Sequence, residues 1–105
     1  MKAFVVTAPK TYEIQEVAEP KASAGEIVAK IERVGICGTD VEFFNGVMPY
    51  LHDGQAKLPI RLGHEWSGTI IEVGDGVDKS LLGKKVTSDV MMGCGKCKRC
   101  SDGRQ

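Results

Sequence analysis

Glu26-Ile27-Val28-Ala29-Lys30-Ile31-Glu32-Arg33-Val34, running directly into Gly35-Ile36-Cys37-Gly38, decides the fold class of this chain. Ile27, Ala29 and Ile31 fall on one side of a period-two pattern, and Lys30 and Glu32 on the other. That alternation predicts a half-buried strand over residues 26–34 with the isoleucines facing inward. The two glycines then turn the chain. Thr39 or Asp40 is placed to cap a short helix through residues 41–44, which Asn45-Gly46 stops.

The same pattern of short apolar runs between turn residues continues in both directions. Strands are expected at 2–7 and 13–17, followed by a break from Pro20 to Gly25. Residues 47–59 hold Pro49, Gly54 and Pro59 and read as one long loop, a feature that in compact domains is usually functional or mobile. A strand is expected at 65–73, a turn at Gly74-Asp75-Gly76, another at Leu81-Leu82-Gly83, and a last strand at 85–91. Glycine is frequent, with 13 residues, and helical periodicity is scarce. The fold class is therefore mainly β, a barrel or sandwich with short helical insertions.

The chain has 105 residues, enough for one domain with a modest core. Acidic and basic residues balance at 14 each, so net charge points to neither nucleic acid nor an anionic membrane. Lys96, Lys98, Arg99 and Arg104 form a local basic cluster whose plain reading is a solvated loop. No apolar run is long enough to span a bilayer. Met1-Lys2-Ala3-Phe4-Val5-Val6-Thr7 is strand-like and is followed by Pro9 and Lys10, so it forms no signal-peptide core. The expected location is cytoplasmic, where thiols stay reduced and clustered cysteines serve metals rather than disulfides.

Two groups of residues carry metal chemistry. Gly93-Cys94-Gly95-Lys96-Cys97-Lys98-Arg99-Cys100 is a C-x2-C-x2-C run whose glycines let the backbone fold around one ion. Iron–sulfur sites with a similar opening add a fourth cysteine and a proline, and a redox C-x-x-C normally precedes a helix in an α/β setting. Zinc is the better reading. Cys37 and the pair His64-Glu65, each bounded by glycine, offer thiolate, imidazole and carboxylate, a mixed set suited to a zinc with one open position. By residue type alone, a lone cysteine is more often a small core residue and a lone histidine structural. Thr39 and Asp40 can equally be helix caps.

Gly35-Ile36-Cys37-Gly38-Thr39-Asp40 resembles the catalytic-cysteine motif of the zinc-dependent medium-chain alcohol and polyol dehydrogenases. Gly63-His64-Glu65-Trp66-Ser67-Gly68, continuing through Ile71-Glu72-Val73-Gly74-Asp75-Gly76-Val77, is similar to their second signature. The triple cysteine matches their structural-zinc lobe, and the three motifs stand in family order. The resemblance implies a GroES-like β-barrel over residues 1–105. It implies that Cys37 and His64 bind a catalytic zinc, with Glu65 a direct or exchangeable ligand. It also implies that Thr39 relays a proton from the alcohol, that Asp40 orients the ligand histidine, and that Cys94, Cys97 and Cys100 bind a structural zinc.

In that family a fourth cysteine follows shortly after the third, so residues 93–105 are expected to be a truncated lobe, with 94–104 mobile or metal-free in this chain. The dinucleotide fingerprint G-x-G-x-x-G is absent, and Gly74-x-Gly76 lacks both the third glycine and a following helix. A nicotinamide-binding domain, for NAD or NADP, is expected downstream. This chain alone is then expected to be inactive, and the full-length enzyme to be a homo-oligomer. Phe43, Phe44, Met48, Tyr50 and Leu51 either line an apolar substrate pocket or simply pack, Trp66 is core or cleft, and His52 reads as a solvated loop residue. Glu65 favours a small alcohol, polyol or sugar-alcohol substrate. The rivals are a non-enzymatic zinc-binding interaction module and a ring-forming co-chaperonin, which has no use for these residues.

Overall fold

The computed structural model describes residues 1–104. Its strands are β1 (Lys2–Ala8), β2 (Thr11–Glu16), β3 (Ile27–Val34), β4 (Ile60–Arg61), β5 (Trp66–Val73) and β6 (Lys85–Val86). Its helices are α1 (Gly38–Asn45), α2 (Pro49–His52) and α3 (Lys98–Ser101). The mainly β expectation holds. The strands make two antiparallel three-stranded sheets, ordered β2-β1-β4 and β3-β5-β6, and both are open rather than closed into one barrel.

β1 is the central strand of its sheet, paired on both edges, and at its middle it is covered on both faces. Successive residues of a strand point to opposite faces, and the neighbours Val5 and Val6 are both buried. Val28, Met48 and Ile70 complete the buried apolar set. The tip of the β1–β2 hairpin reaches across to α1. Lys10, at a φ of 58°, donates its backbone N–H to the Phe44 carbonyl at 2.6 Å. Gly46 ends α1 in the left-handed region at φ 74°, and a Cβ there would lie 2.7 Å from Pro9 Cγ.

Several sequence expectations need correction. The Ile27–Ile31 face of β3 is not the inward one: both isoleucines are exposed while Val28 is buried. Register shifts at Val28/Ala29 and Ile31/Arg33 break the strict alternation, so the period-two rule fails along this strand. β6 stops at Val86 instead of continuing to residue 91. Val86 already faces Gly68, and β5 begins only two residues earlier at Trp66, so the ladder runs out of partners. The expected loop 47–59 contains α2, with Pro49 in its first turn. Beyond it, β4 is too short for any alternation to announce it. The turn at 81–83 is preceded by a single 3₁₀ turn (Lys79–Leu81), which Asp78 caps through Ser80 N–H at 2.9 Å. No helix among the described residues is long and apolar enough to cross a membrane.

The β3-β5-β6 sheet is tied by Glu32, whose carboxylate accepts from Thr69 Oγ1 at 3.0 Å and from Lys85 Nζ at 2.6 Å. The Lys85 hydrogen bond, helped by Thr69, holds the Glu32 carboxyl below its ordinary value of 4.5. A lowered carboxyl stabilises the fold above its unfolded pKa and loses that contribution as pH falls through the folded one. Glu32→Gln should therefore lower the urea midpoint at neutral pH, with the difference from the parent shrinking as pH drops below about 4.5. A difference that stays constant through that window would remove Glu32 from the sheet's stabilising contacts. Gly74 is needed for a different reason: a Cβ there would run into the Ser23 carbonyl, a backbone atom that cannot swing away. Gly74→Ala should cost about 1–3 kcal/mol in denaturant unfolding, the usual scale for overpacking.

Candidate metal centres

The antiparallel pairing of β3 with β5 brings the two distant motifs together. Val34 at the end of β3 faces Trp66 at the start of β5. One step further, the Gly35 N–H donates to the Glu65 carbonyl at 2.7 Å. The segment leaving β3 carries Cys37, and the segment entering β5 carries His64 and Glu65. Gly63 supplies the turn between β4 and that segment at a φ of 114°, a conformation that favours glycine.

Cys37 is the cap of α1, in place of the expected Thr39 or Asp40. Its backbone is extended, and its sulfur accepts the Thr39 N–H at 3.4 Å. Asp40 closes the reciprocal half of the capping box, with Oδ2 accepting the Cys37 N–H at 3.0 Å. The other oxygen, Oδ1, lies 3.4 Å from His64 Nδ1. One carboxylate thus braces both the cysteine and the histidine. The remaining ring nitrogen, Nε2, lies 3.9 Å from Glu65 Oε1. Ligand atoms of Cys37, His64 and Glu65 all fall within 4.8 Å of one another.

The electrostatics follow from that geometry. The Thr39 hydroxyl and backbone N–H, both donating to the sulfur, hold the Cys37 thiol below its ordinary value, and His64 adds to this. His64 is raised, chiefly by its hydrogen bond to Cys37 and further by the negative charge of Asp40. The cysteine is thereby biased toward thiolate, the form that binds metals. Sulfur, imidazole nitrogen and carboxylate oxygen, converging with the second imidazole nitrogen held by a carboxylate, are a donor set that fits zinc.

The second cluster lies in the 93–104 segment. Cys97 Sγ is 3.6 Å from Cys100 Sγ, and Cys94 Sγ is 3.9 Å from Cys100 Sγ. All three sulfurs lie within 4.8 Å of one another: Cys97 is the cap of α3 and Cys100 lies within it, while Cys94 precedes this helix, which the sequence pattern does not announce. The Lys96 and Cys97 backbone N–H groups point at Cys94 and bring its thiol down to about 7. Three converging thiols fit a tetrahedral zinc with one further ligand.

All the site residues singled out from sequence fall into these two groups. Among the secondary candidates, Phe44 lines an apolar groove of about 530 Å³ together with Phe4, Tyr12, Val34, Ile36 and Val41. Phe4 and Tyr12 stack across one side of it, 4.8 Å apart. Met48 is core and Tyr50 is exposed. His52 is not simply solvated, because its Nε2 lies 3.2 Å from the Gly46 carbonyl and ties α2 to the end of α1. The role of Gly35 goes beyond the turn that sequence suggests. A Cβ there would meet the Glu65 side chain, a contact visible only once the two segments are paired.

Residues 23–105 match the model of the alcohol dehydrogenase GroES-like domain. The starvation-sensing protein RspB of Escherichia coli K12 is 38% identical over 104 residues, covering 99% of this chain and 29% of that protein. The sorbitol dehydrogenase of Halalkalibacterium halodurans is 37% identical over 106 residues, covering 98% of this chain and 29% of the relative. Among solved structures, an alcohol dehydrogenase from Escherichia coli CFT073 complexed with NADH superposes with a TM-score of 0.82 at 36% identity, over 99% of this chain and 28% of that one. The chain thus spans somewhat under a third of the length of the relatives it matches. On the match over residues 23–105, the two open β-sheets and the paired signature segments, the chain belongs to the GroES-like domain family of the zinc-dependent medium-chain dehydrogenase/reductase superfamily.

Proposed function

We propose that this chain is the zinc-binding catalytic domain of an NAD(P)-linked dehydrogenase that oxidises a small alcohol or polyol to a ketone or aldehyde. The observation that carries the reading is the double engagement of Asp40, which links the Cys37 N–H to His64 Nδ1 beside Glu65. The sorbitol dehydrogenase relative favours a polyol, and the NADH-bound structure favours a nicotinamide cofactor. The nicotinamide-binding domain would lie outside these 105 residues, in keeping with the chain's span of under a third of those relatives.

Cys37, His64 and Glu65 would hold the catalytic zinc, which when bound supplies Lewis-acid polarisation of the substrate oxygen. Hydride transfer is nicotinamide chemistry, so this chain's part is to bind and orient the alcohol. Asp40 keeps the proton of His64 on Nδ1 and leaves Nε2 free as a donor atom. The Thr39 hydroxyl, two residues from Cys37 at the start of α1, would take up and pass on the substrate proton. Cys94, Cys97 and Cys100 would hold a second, structural zinc.

Asp40→Ala should weaken zinc binding at the first centre by about 10–100-fold, the scale for losing a group that orients a ligand histidine. Competition titration against a chromophoric chelator reads this directly, and unchanged affinity would remove Asp40 from the site. In the full-length protein, Cys37→Ser and His64→Ala should each abolish alcohol oxidation followed as NAD(P)H absorbance. Near-parental turnover in either variant would refute the catalytic assignment.

A further inference from the structure

Glu65 is the least constrained of the three donors at the first centre. Its side chain is 51% exposed, and among the described residues no hydrogen-bond donor holds its carboxylate against His64. What defines its place is a gap. Gly35 and Glu65 sit opposite each other where the β3–β5 ladder ends, joined by the Gly35 N–H to the Glu65 carbonyl at 2.7 Å. The Glu65 side chain lies over the bare Cα of Gly35. A Cβ built on Gly35 would be 2.7 Å from Glu65 Oε2 and 3.1 Å from Glu65 Cβ.

The backbone of Gly35 is not in the left-handed region, so an alanine is not excluded by conformation. The closest atom is the end of a flexible, half-exposed side chain rather than a fixed carbonyl, unlike the collisions at Gly68 and Gly74. A methyl group at Gly35 is therefore accommodated once the carboxylate turns away and the 3.1 Å contact with Glu65 Cβ opens by a few tenths of an ångström. The side chain would have to turn away toward solvent, which takes the carboxylate from the 3.9 Å approach to His64 Nε2.

We propose that Gly35 is a positioning residue for the metal centre: the missing side chain there is the socket that keeps the Glu65 carboxylate beside His64 and Cys37. This rests on the reading of Cys37, His64 and Glu65 as a metal site. It goes beyond that reading in assigning the placement of one donor to a residue that touches no metal.

The test is a double-mutant cycle in the full chain with Cys94, Cys97 and Cys100 changed to serine, using Co²⁺ as the probe. Co²⁺ affinity, its d–d absorption and the thermal midpoint are read for the parent, Gly35→Ala, Glu65→Ala and the double variant. The proposal expects Gly35→Ala to reproduce the spectral change of Glu65→Ala and to weaken Co²⁺ binding by a similar factor, about tenfold. The double variant should stay close to Glu65→Ala alone, because the carboxylate that collides with the new methyl is gone and only the 3.1 Å contact with the residue-65 Cβ remains. A Gly35→Ala spectrum identical to the parent, in a background where Glu65→Ala does shift it, overturns the role of Gly35 and leaves the metal site standing. A parent with no cobalt–thiolate band that Cys37→Ser removes overturns the site reading and the proposal with it. If Gly35→Ala does not fold, a double variant that regains the fold shows the same collision through stability. A double variant that also fails to fold places the need for glycine elsewhere and overturns the proposal.

Discussion

The carboxylate of Asp40 is the buried charged group among the described residues, and its burial constrains everything around it. An ionised group withdrawn from water is tolerated only when donors replace the lost hydration. Asp40 finds them in two directions, the Cys37 N–H at the start of α1 and the His64 ring at the entry to β5. Only the first donor is near Asp40 by local structure. The first requires the capping geometry of α1, and the second requires β3 and β5 to pair in the observed register. One carboxylate thus couples a helix start to a sheet end, and the candidate ligands are held at the junction. At its other end α1 is held by the Lys10 N–H and the contact of Pro9 with Gly46, so the helix carrying Cys37 is anchored at both termini.

The rest of the fold is economical around that junction. Among the described residues only Val5, Val6, Val28, Met48 and Ile70 are buried apolar residues, while Phe4, Tyr12, Ile14, Ile31, Val34 and Ile36 remain exposed. Two open sheets of three strands cannot cover both faces of each other. The apolar groove beside α1 is part of that uncovered surface.

How much of this is legible in the sequence depends on how local each feature is. The C-x2-C-x2-C run can be read directly, because its three ligands lie within one short loop and spacing alone lets them converge. Cys37 and His64 cannot be paired by spacing, since a long-range ladder brings them together, and only the resemblance joins them beforehand. Most strands are visible as short apolar runs, but which face of β3 is buried is not. Its register shifts reverse what the positions of Ile27 and Ile31 suggest. β4 and β6, with two residues each, are set by available partners rather than by propensity. The cap at Cys37 goes unread because cysteine is not a usual capping residue, and it takes the role here with the help of Asp40. The contact of Gly35 with Glu65 has no sequence signal at all, since a glycine before a turn looks the same whether or not a side chain rests on it.

The central claim is that thiolate, imidazole and carboxylate from these two segments bind one ion. Zinc K-edge X-ray absorption on the chain with Cys94, Cys97 and Cys100 changed to serine tests it most directly. The account predicts one zinc with a mixed shell: a single sulfur at about 2.3 Å and the remaining scatterers nitrogen or oxygen at about 2.0–2.2 Å. A shell without sulfur would show that Cys37 does not bind the ion and would contradict the claim.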